Sequence, residues 1–478
     1  MAGMETLQPA ASSQATEASK MVSGGREPHS HIKSHLDLII ERFAGFIAEV
    51  DGSSSARAKM QSEYFEDLSK YQQTLGHFKS KTPCSDQEAQ LFADLFLHLC
   101  GYRGFPRRGF LKTVLNLLKH HEGVVPWMSE FYEYVHFAVL RAVEPEVLEG
   151  SFQTFRSLSA QSQWSQQQWK HLFIFYQNLV EKQGDPQTVM RTGQTLRCLA
   201  RELDWAEPLW EEFLATTHFV LARSELPSDE FLTTVNSLAK SQSSQAYWSQ
   251  FLHATRNVIQ FGLASQIGSE WARAVRRHSA RFDFDFLSYS QIESTRVFLQ
   301  ELQKVAPDVH YRLVILLGGG YGLLAPFLYQ TYPGLKVRVF SIEPDEQINE
   351  IAEDLNKKFV VDGWKFKTIT SDVNDVLYEE SLFFLNRSDG EKVEICEHPV
   401  FYIHAQCEQL EDFAGWRDRL PEGALVALKG YRFHHSDHSL PFAKTIDEFK
   451  AQAKFSETFC ERVIQFGDQE CFLLIGRT

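Results

Sequence analysis

Cysteine is sparse in this chain of 478 residues, and what there is lies scattered. The seven cysteines, at 84, 100, 198, 396, 407, 460 and 471, include no Cys-x-x-Cys pair. An odd, dispersed set speaks against a disulfide framework and for reduced, buried thiols inside a cell. Long apolar runs are absent too: none approaches the roughly 20 residues of a membrane span. The first residues carry no apolar signal-peptide core. Positive charge is in deficit, with 48 Lys and Arg against 62 Asp and Glu, a net −14. Broad binding to a phosphate backbone needs the opposite balance, although a local basic groove stays open. A soluble, cytoplasmic protein is expected, with neither a membrane nor bulk nucleic acid as its partner. The one glycosylation triplet noted, at Asn386, is read as chance.

What is plentiful is apolar and aromatic: 43% hydrophobic residues with 38 Phe and 9 Trp, enough for a sizeable core. The length suggests roughly two to four domains. Residues 1–33 are small and polar and predict a flexible tail. Over 34–275 the apolar residues recur at helical spacing, as in Leu36, Ile39, Ile40, Phe43, Phe46 and Ile47, and strand-like alternation is missing. Trp127, Trp169, Trp210 and Trp248 each open a similar helical stretch, with Phe131, Phe173, Phe213 and Phe251 close behind. An interval of about 40 residues with two helices per unit predicts an all-α helical-hairpin repeat domain, with stacked neighbours burying the faces that one hairpin leaves open. The alternative is a bundle of unrelated helices. A junction rich in aromatic and charged residues and one further helix fill 276–311.

From 312 to 478 strand and helix alternate, which predicts an α/β domain with a doubly wound sheet. The strands expected are "RLVILL", "KVRVFSI", "WKFKTIT", "PVFYIHA" and "GALVALKGY", closed by a hairpin around "GDQ". Helices are expected over "LLAPFLYQTY", "DEQINEIAEDLNKKF", "DVNDVLYEESLFFL", "QLEDFAGWRDRL" and "TIDEFKAQAKF". In such sheets ligands sit at the carboxyl ends of the strands. The first strand runs straight into Gly318, Gly319, Gly320 and Gly322. Glycines there let backbone approach a ligand, or simply make a tight turn. Glu343 ends the second strand, where an acid can accept from both ribose hydroxyls of a nucleoside or favour the following helix's N-terminus. Asp372 follows the third strand and can accept from an adenine amine or cap a helix.

Taken together, "ILLGGGYG", "SIEPD", "ITSDV" and "RLPEGALVAL" resemble, in order and spacing, the motifs of class I S-adenosylmethionine-dependent methyltransferases. The resemblance covers about a third of the chain, and implies a seven-stranded sheet ending in an antiparallel hairpin. It implies S-adenosylmethionine as cofactor, held by Gly318, Gly320 and Gly322 at its methionine and ribose part, by Glu343 at the ribose and by Asp372 at the adenine. The acceptor, a small molecule or a protein, is not specified, and the helical repeats are a candidate surface for a protein partner.

The chain departs from that pattern in places. Leu316 stands where the family carries an acid before the first glycine, and His404 where the fourth strand often ends in one. Lys429 and Gly430 follow the fifth strand where metal-dependent relatives have another acid, so no magnesium site of that type is expected. His404 and His435 are the candidate general bases. His434, His435, Asp437 and His438 could also bind a transition metal or form a plain polar loop. Two other functions remain open: a non-catalytic scaffold with a degenerate methyltransferase-like domain, and an NAD(P)-dependent oxidoreductase, since Gly320, Gly322 and Ala325 fit a dinucleotide fingerprint.

Overall fold

The computed structural model describes residues 105–478 and, before them, positions 70, 99, 102 and 104. Within that span, residues 121–127, 162–163, 184, 224–225, 242, 308–312, 333–336, 379–381, 387–391, 397–399, 411, 434–442 and 468 are outside the description. The expected tail, the helix expected over Leu36–Ile47 and Trp127 therefore lie outside the described residues. So do His434, His435, Asp437 and His438. Two compact units appear, residues 1–160 and 161–478.

In the first unit, helices α1 (Arg107–His120), α2 (Met128–Leu140) and α3 (Pro145–Gln161) surround a phenylalanine core. Phe110, Phe131, Phe152 and Phe155 are fully buried. Phe110 stacks on Phe131 at 5.7 Å, and Phe155 meets Phe131 edge-on at 6.0 Å.

The second unit opens with α4 (Gln166–Gln183), α5 (Pro186–Glu202), α6 (Glu207–Ala222), α7 (Ser228–Lys240), α8 (Gln245–Gln260) and α9 (Ala264–Arg277). Side chains cap the starts of α5, at Asp185, and α8, at Ser244. Asp185 accepts from the N–H groups of Gln187 (3.2 Å) and Thr188 (3.0 Å), and Pro186, which has no N–H to lose, takes the first helical position. Helix α4 packs on α6 and α6 on α8, while α5 packs on α7 and α7 on α9. Trp169, Trp210 and Trp248 are buried at equivalent places in α4, α6 and α8. Trp164 and Trp205 bridge them, with centroids 4.9 Å (Trp164–Trp210) and 4.8 Å (Trp205–Trp248) apart. A cavity of about 730 Å³ lies beside this ladder, lined by Trp164, Gln168, Arg201, Asp204 and Glu207 among others.

After a 3₁₀ turn at Phe284–Leu287 and α10 (Tyr289–Val305) comes the sheet. Its strands are β1 (Leu313–Leu317), β2 (Arg338–Glu343), β3 (Phe366–Thr370), β6 (Val400–His404), β7 (Leu425–Phe433), β8 (Glu457–Phe466) and β9 (Gln469–Arg477). The missing pair, β4 (Leu382–Asn386) and β5 (Lys392–Cys396), forms a separate antiparallel ribbon. The sheet order is β3-β2-β1-β6-β7-β9-β8, parallel except for β9, which runs antiparallel to its neighbours β7 and β8. A seven-stranded mixed sheet with flanking helices and a terminal hairpin fits a methyltransferase-like α/β fold. Helices α11 (Leu324–Thr331), α12 (Glu346–Leu355), α13 (Lys357–Val361), α14 (Phe413–Arg417) and α15 (Ile446–Ala453) complete the unit. All five residues of β1 are buried, as a strand covered on both faces must be. Leu313, Ile315 and Leu317 pack with Tyr402, Trp416 and Leu428 in one core cluster.

Two expected helices need correction. "DVNDVLYEESLFFL" is a 3₁₀ turn at Val373–Asp375 followed by strand β4. β4 pairs antiparallel with β5, Phe383 opposite Ile395 and Leu385 opposite Val393, and periodicity over so short a run does not distinguish a strand from a helix. "QLEDFAGWRDRL" keeps only the five-residue α14, because Asp412 caps a start in mid-segment, accepting from Gly415 N–H at 2.9 Å. Among the described residues no helix is long and apolar enough to cross a membrane.

Candidate functional site

The strand order reverses at β1, with β2 on one side and β6 on the other. The crevice at their carboxyl ends is the topological switch point where α/β sheets take ligands, and the glycine turn lies there. Gly318, Gly320 and Gly322 have φ of +57°, +50° and +67°, the left-handed region that costs other residues about 1–2 kcal/mol. Each also meets a near neighbour: a Cβ on Gly320 would run into the Phe286 ring and one on Gly322 into Phe366, while one on Gly318 would lie 3.5 Å from His404 Cε1.

Glu343 ends β2 beside this turn and is 9% exposed. Burial pushes its carboxyl above the usual range, while the N–H groups of Gly320 and Asp345 hydrogen-bond it and favour the charged form. Asp345 caps α12, accepting from Gln347 N–H at 2.7 Å, so the helix N-terminus has its own acid. Asp372 is exposed and accepts from Asn374 N–H at 2.7 Å, the capping geometry for the short turn after β3. Leu316 is fully buried beneath Gly319.

His404 is placed differently from what a proton-transfer role asks. It is 3% exposed, its ring edge-on to Trp416 at 5.0 Å. Its Nδ1 accepts a long bond from Gln406 N–H (3.4 Å), and its Nε2 has no partner among the described residues. Burial pulls its pKa down to about 3, so it is neutral at physiological pH and a weak base. Glu408, which sequence reasoning passed over, lies in the 3₁₀ turn just after β6 and accepts from Tyr431 N–H at 3.0 Å. Burial pushes its pKa up to about 7. The signal was an acid four residues past the strand end, one turn later than the family pattern directs the eye.

The cofactor that the resemblance implies needs both polar partners and room. The partners are here: a buried acid at the end of β2, facing a glycine turn. The room is taken by the chain itself. The cavity at the turn measures about 40 Å³, space for roughly three waters. Phe286, a partly exposed residue of the turn before α10, lies over Gly320 and packs on Tyr321 with centroids 4.5 Å apart. The polar set fits a nucleoside, and the space beside it opens only if that ring leaves.

No family model matches the sequence. No curated protein matches it either. Among solved structures the chain is similar to magnesium protoporphyrin IX methyltransferase from Synechocystis (11% identity, 48% of this chain and 98% of that one, TM-score 0.29). It is also similar to the N-methyltransferase NodS from Bradyrhizobium japonicum (12%, 39% and 96%, TM-score 0.28). A third is a SAM-dependent methyltransferase from Aquifex aeolicus (15%, 38% and 92%, TM-score 0.26). The fold assignment rests on the strand order itself.

Proposed function

We propose that this protein is an S-adenosylmethionine-dependent methyltransferase whose helical layers, read as hairpin repeats over 34–275, recognise the methyl acceptor or a protein partner. The observation that carries the reading is Glu343: a buried carboxylate at the end of β2, held by Gly320 N–H at the switch point of a seven-stranded sheet. In this reading Glu343 accepts from the ribose hydroxyls, and Gly318 and Gly320 let the backbone lie against the cofactor once Phe286 has moved. The cofactor supplies an electrophilic methyl group. Glu408, with its raised pKa, takes the place of His404 as the candidate proton acceptor, since a carboxylate titrating near neutrality suits that task. The outcome of a thermal-shift and calorimetric titration tests the reading. S-adenosylhomocysteine should stabilise the protein, by roughly 2.7 kcal/mol at a hundred times its Kd. Glu343→Gln should weaken that binding about 10- to 100-fold, as loss of a charged hydrogen-bond acceptor does. Stabilisation by NADPH alone would overturn it.

One observation favours a second reading. Phe286 fills the place beside Gly320, as it would in a scaffold whose sheet no longer takes a cofactor. Binding of neither ligand would decide for that.

A further inference from the structure

Lys429 is a buried lysine that the proposed chemistry does not use. It leaves β7 towards α10 and is 5% exposed. Its Nζ donates to Gln291 Oε1 (3.2 Å), Thr295 Oγ1 (3.2 Å) and Ser294 Oγ (3.4 Å). All three acceptors are neutral, and among the described residues no carboxylate lies within ion-pair distance of it. Glu408 is the nearby acid, and its carboxylate is engaged by Tyr431 N–H. Tyr431 itself is tied to Ser294 and to Ser290 O (3.1 Å). Burial pulls the Lys429 pKa down. A buried ammonium with neutral partners alone is costly, and the cost falls when a counter-charge arrives.

The place where one can arrive is present. Lys429, Gln291 and Thr295 line the same small cavity as Gly318, Gly319 and Gln406. The amine thus sits at one end of the glycine turn, whereas Glu343 marks the ribose end. The space suits a group the size of a carboxylate. The geometry points to Lys429 as an anion anchor that receives the carboxylate at the amino-acid end of the ligand bound along the glycine turn. This rests on the reading of that turn as the cofactor site. Lys429 then sets selectivity for a nucleoside carrying an amino-acid tail over the bare nucleoside.

Calorimetric titration with three probes tests it: S-adenosylhomocysteine, its carboxamide, in which a neutral amide replaces the carboxylate, and 5′-methylthioadenosine, which lacks the amino-acid end. Wild-type protein should prefer S-adenosylhomocysteine to the carboxamide by about 10- to 100-fold. Lys429→Met should bring the two within about threefold while leaving 5′-methylthioadenosine unchanged. An undiminished preference in the variant overturns the assignment, as does a wild-type protein that binds acid and carboxamide alike. The wild-type comparison decides alone if the variant does not fold. A wild-type protein that binds none of the three overturns the methyltransferase reading, and this inference falls with it. Preference for a charged tail that survives Lys429→Met would instead place the carboxylate elsewhere in an intact cofactor site.

Discussion

His404 and Glu408, four residues apart, should drive stability in opposite directions with pH. His404 is held neutral, its pKa down to about 3 from an ordinary 6.5. As pH falls below 6.5 the unfolded chain takes up a proton there that the native protein refuses, so stability is lost towards acid. Glu408 is held protonated, its pKa up to about 7 from an ordinary 4.5. As pH rises above 4.5 the unfolded chain gives up a proton that the native protein keeps, so stability is lost towards neutrality. Each contributes a slope of about 1.4 kcal/mol per pH unit, and over the shared window of about 4.5 to 6.5 the two cancel. Removing one exposes the other. Relative to wild type, Glu408→Gln should gain about 3 kcal/mol between pH 4.5 and 7, less whatever its residual exposure screens. The Gln carbonyl can still accept from Tyr431 N–H. His404→Phe, which keeps a ring against Trp416, should instead gain about 2.7 kcal/mol as pH falls from 6.5 to 4.5. Urea denaturation at half-unit steps, with the midpoint followed at constant m, reads both slopes. Any packing offset is independent of pH and drops out. Relative slopes below about 0.4 kcal/mol per unit in both variants would refute the reasoning, since the burial of neither group would then be shifting its proton affinity.

Two further predictions concern the glycine turn. Gly320→Ala should cost about 2–4 kcal/mol in urea denaturation, from its left-handed φ and the clash with Phe286, and only about 1–2 kcal/mol in a Phe286→Ala background where the clash is gone. Phe286→Ala should tighten binding of S-adenosylhomocysteine at least about threefold by calorimetry, because a site that must first be vacated binds below its intrinsic affinity; weaker binding would show that the ring is part of the site.

Much of the sheet was legible because each strand there is a short apolar run between turn residues, and the chain supplies them in alternation with helices. Glu343 was legible for the same reason, being the last residue of its strand. The β4–β5 ribbon was not, since the five residues of β4, mostly aromatic and aliphatic, carry no decisive period. Trp164 and Trp205 could have been found: each precedes a helix-opening tryptophan by five residues, a doublet present at 164 and 169 and again at 205 and 210. What local sequence hides is tertiary. Nothing around His404 says that Trp416 will cover it, and nothing in "RFDFDFL" says that Phe286 will lie on a turn 34 residues further on.

That last contact changes what the glycines mean. A turn that binds a ligand and a turn packed by its own chain make the same demand on sequence, a residue without a Cβ. At Gly322 the two demands do not separate, because Phe366 belongs to β3 and stays whether or not a ligand is bound. At Gly320 they do. Phe286 is partly exposed, and its segment is tied down on both sides. Before it, Asp283 N–H donates to Tyr321 Oη at 2.7 Å, and after it Leu287 O accepts from the Asn257 side-chain amide of α8 at 3.0 Å. Phe286 can therefore swing out while the anchors on either side hold, which makes the cleft a matter of one side chain and not of refolding the junction. If Gly320 serves only Phe286, then with Phe286 removed an alanine there should be tolerated apart from its φ cost, and ligand affinity should be untouched. If it serves a cofactor, the same alanine should abolish binding in the very background where the clash with the chain has been relieved. The double variant thus separates the two meanings of a glycine that sequence alone reads as one.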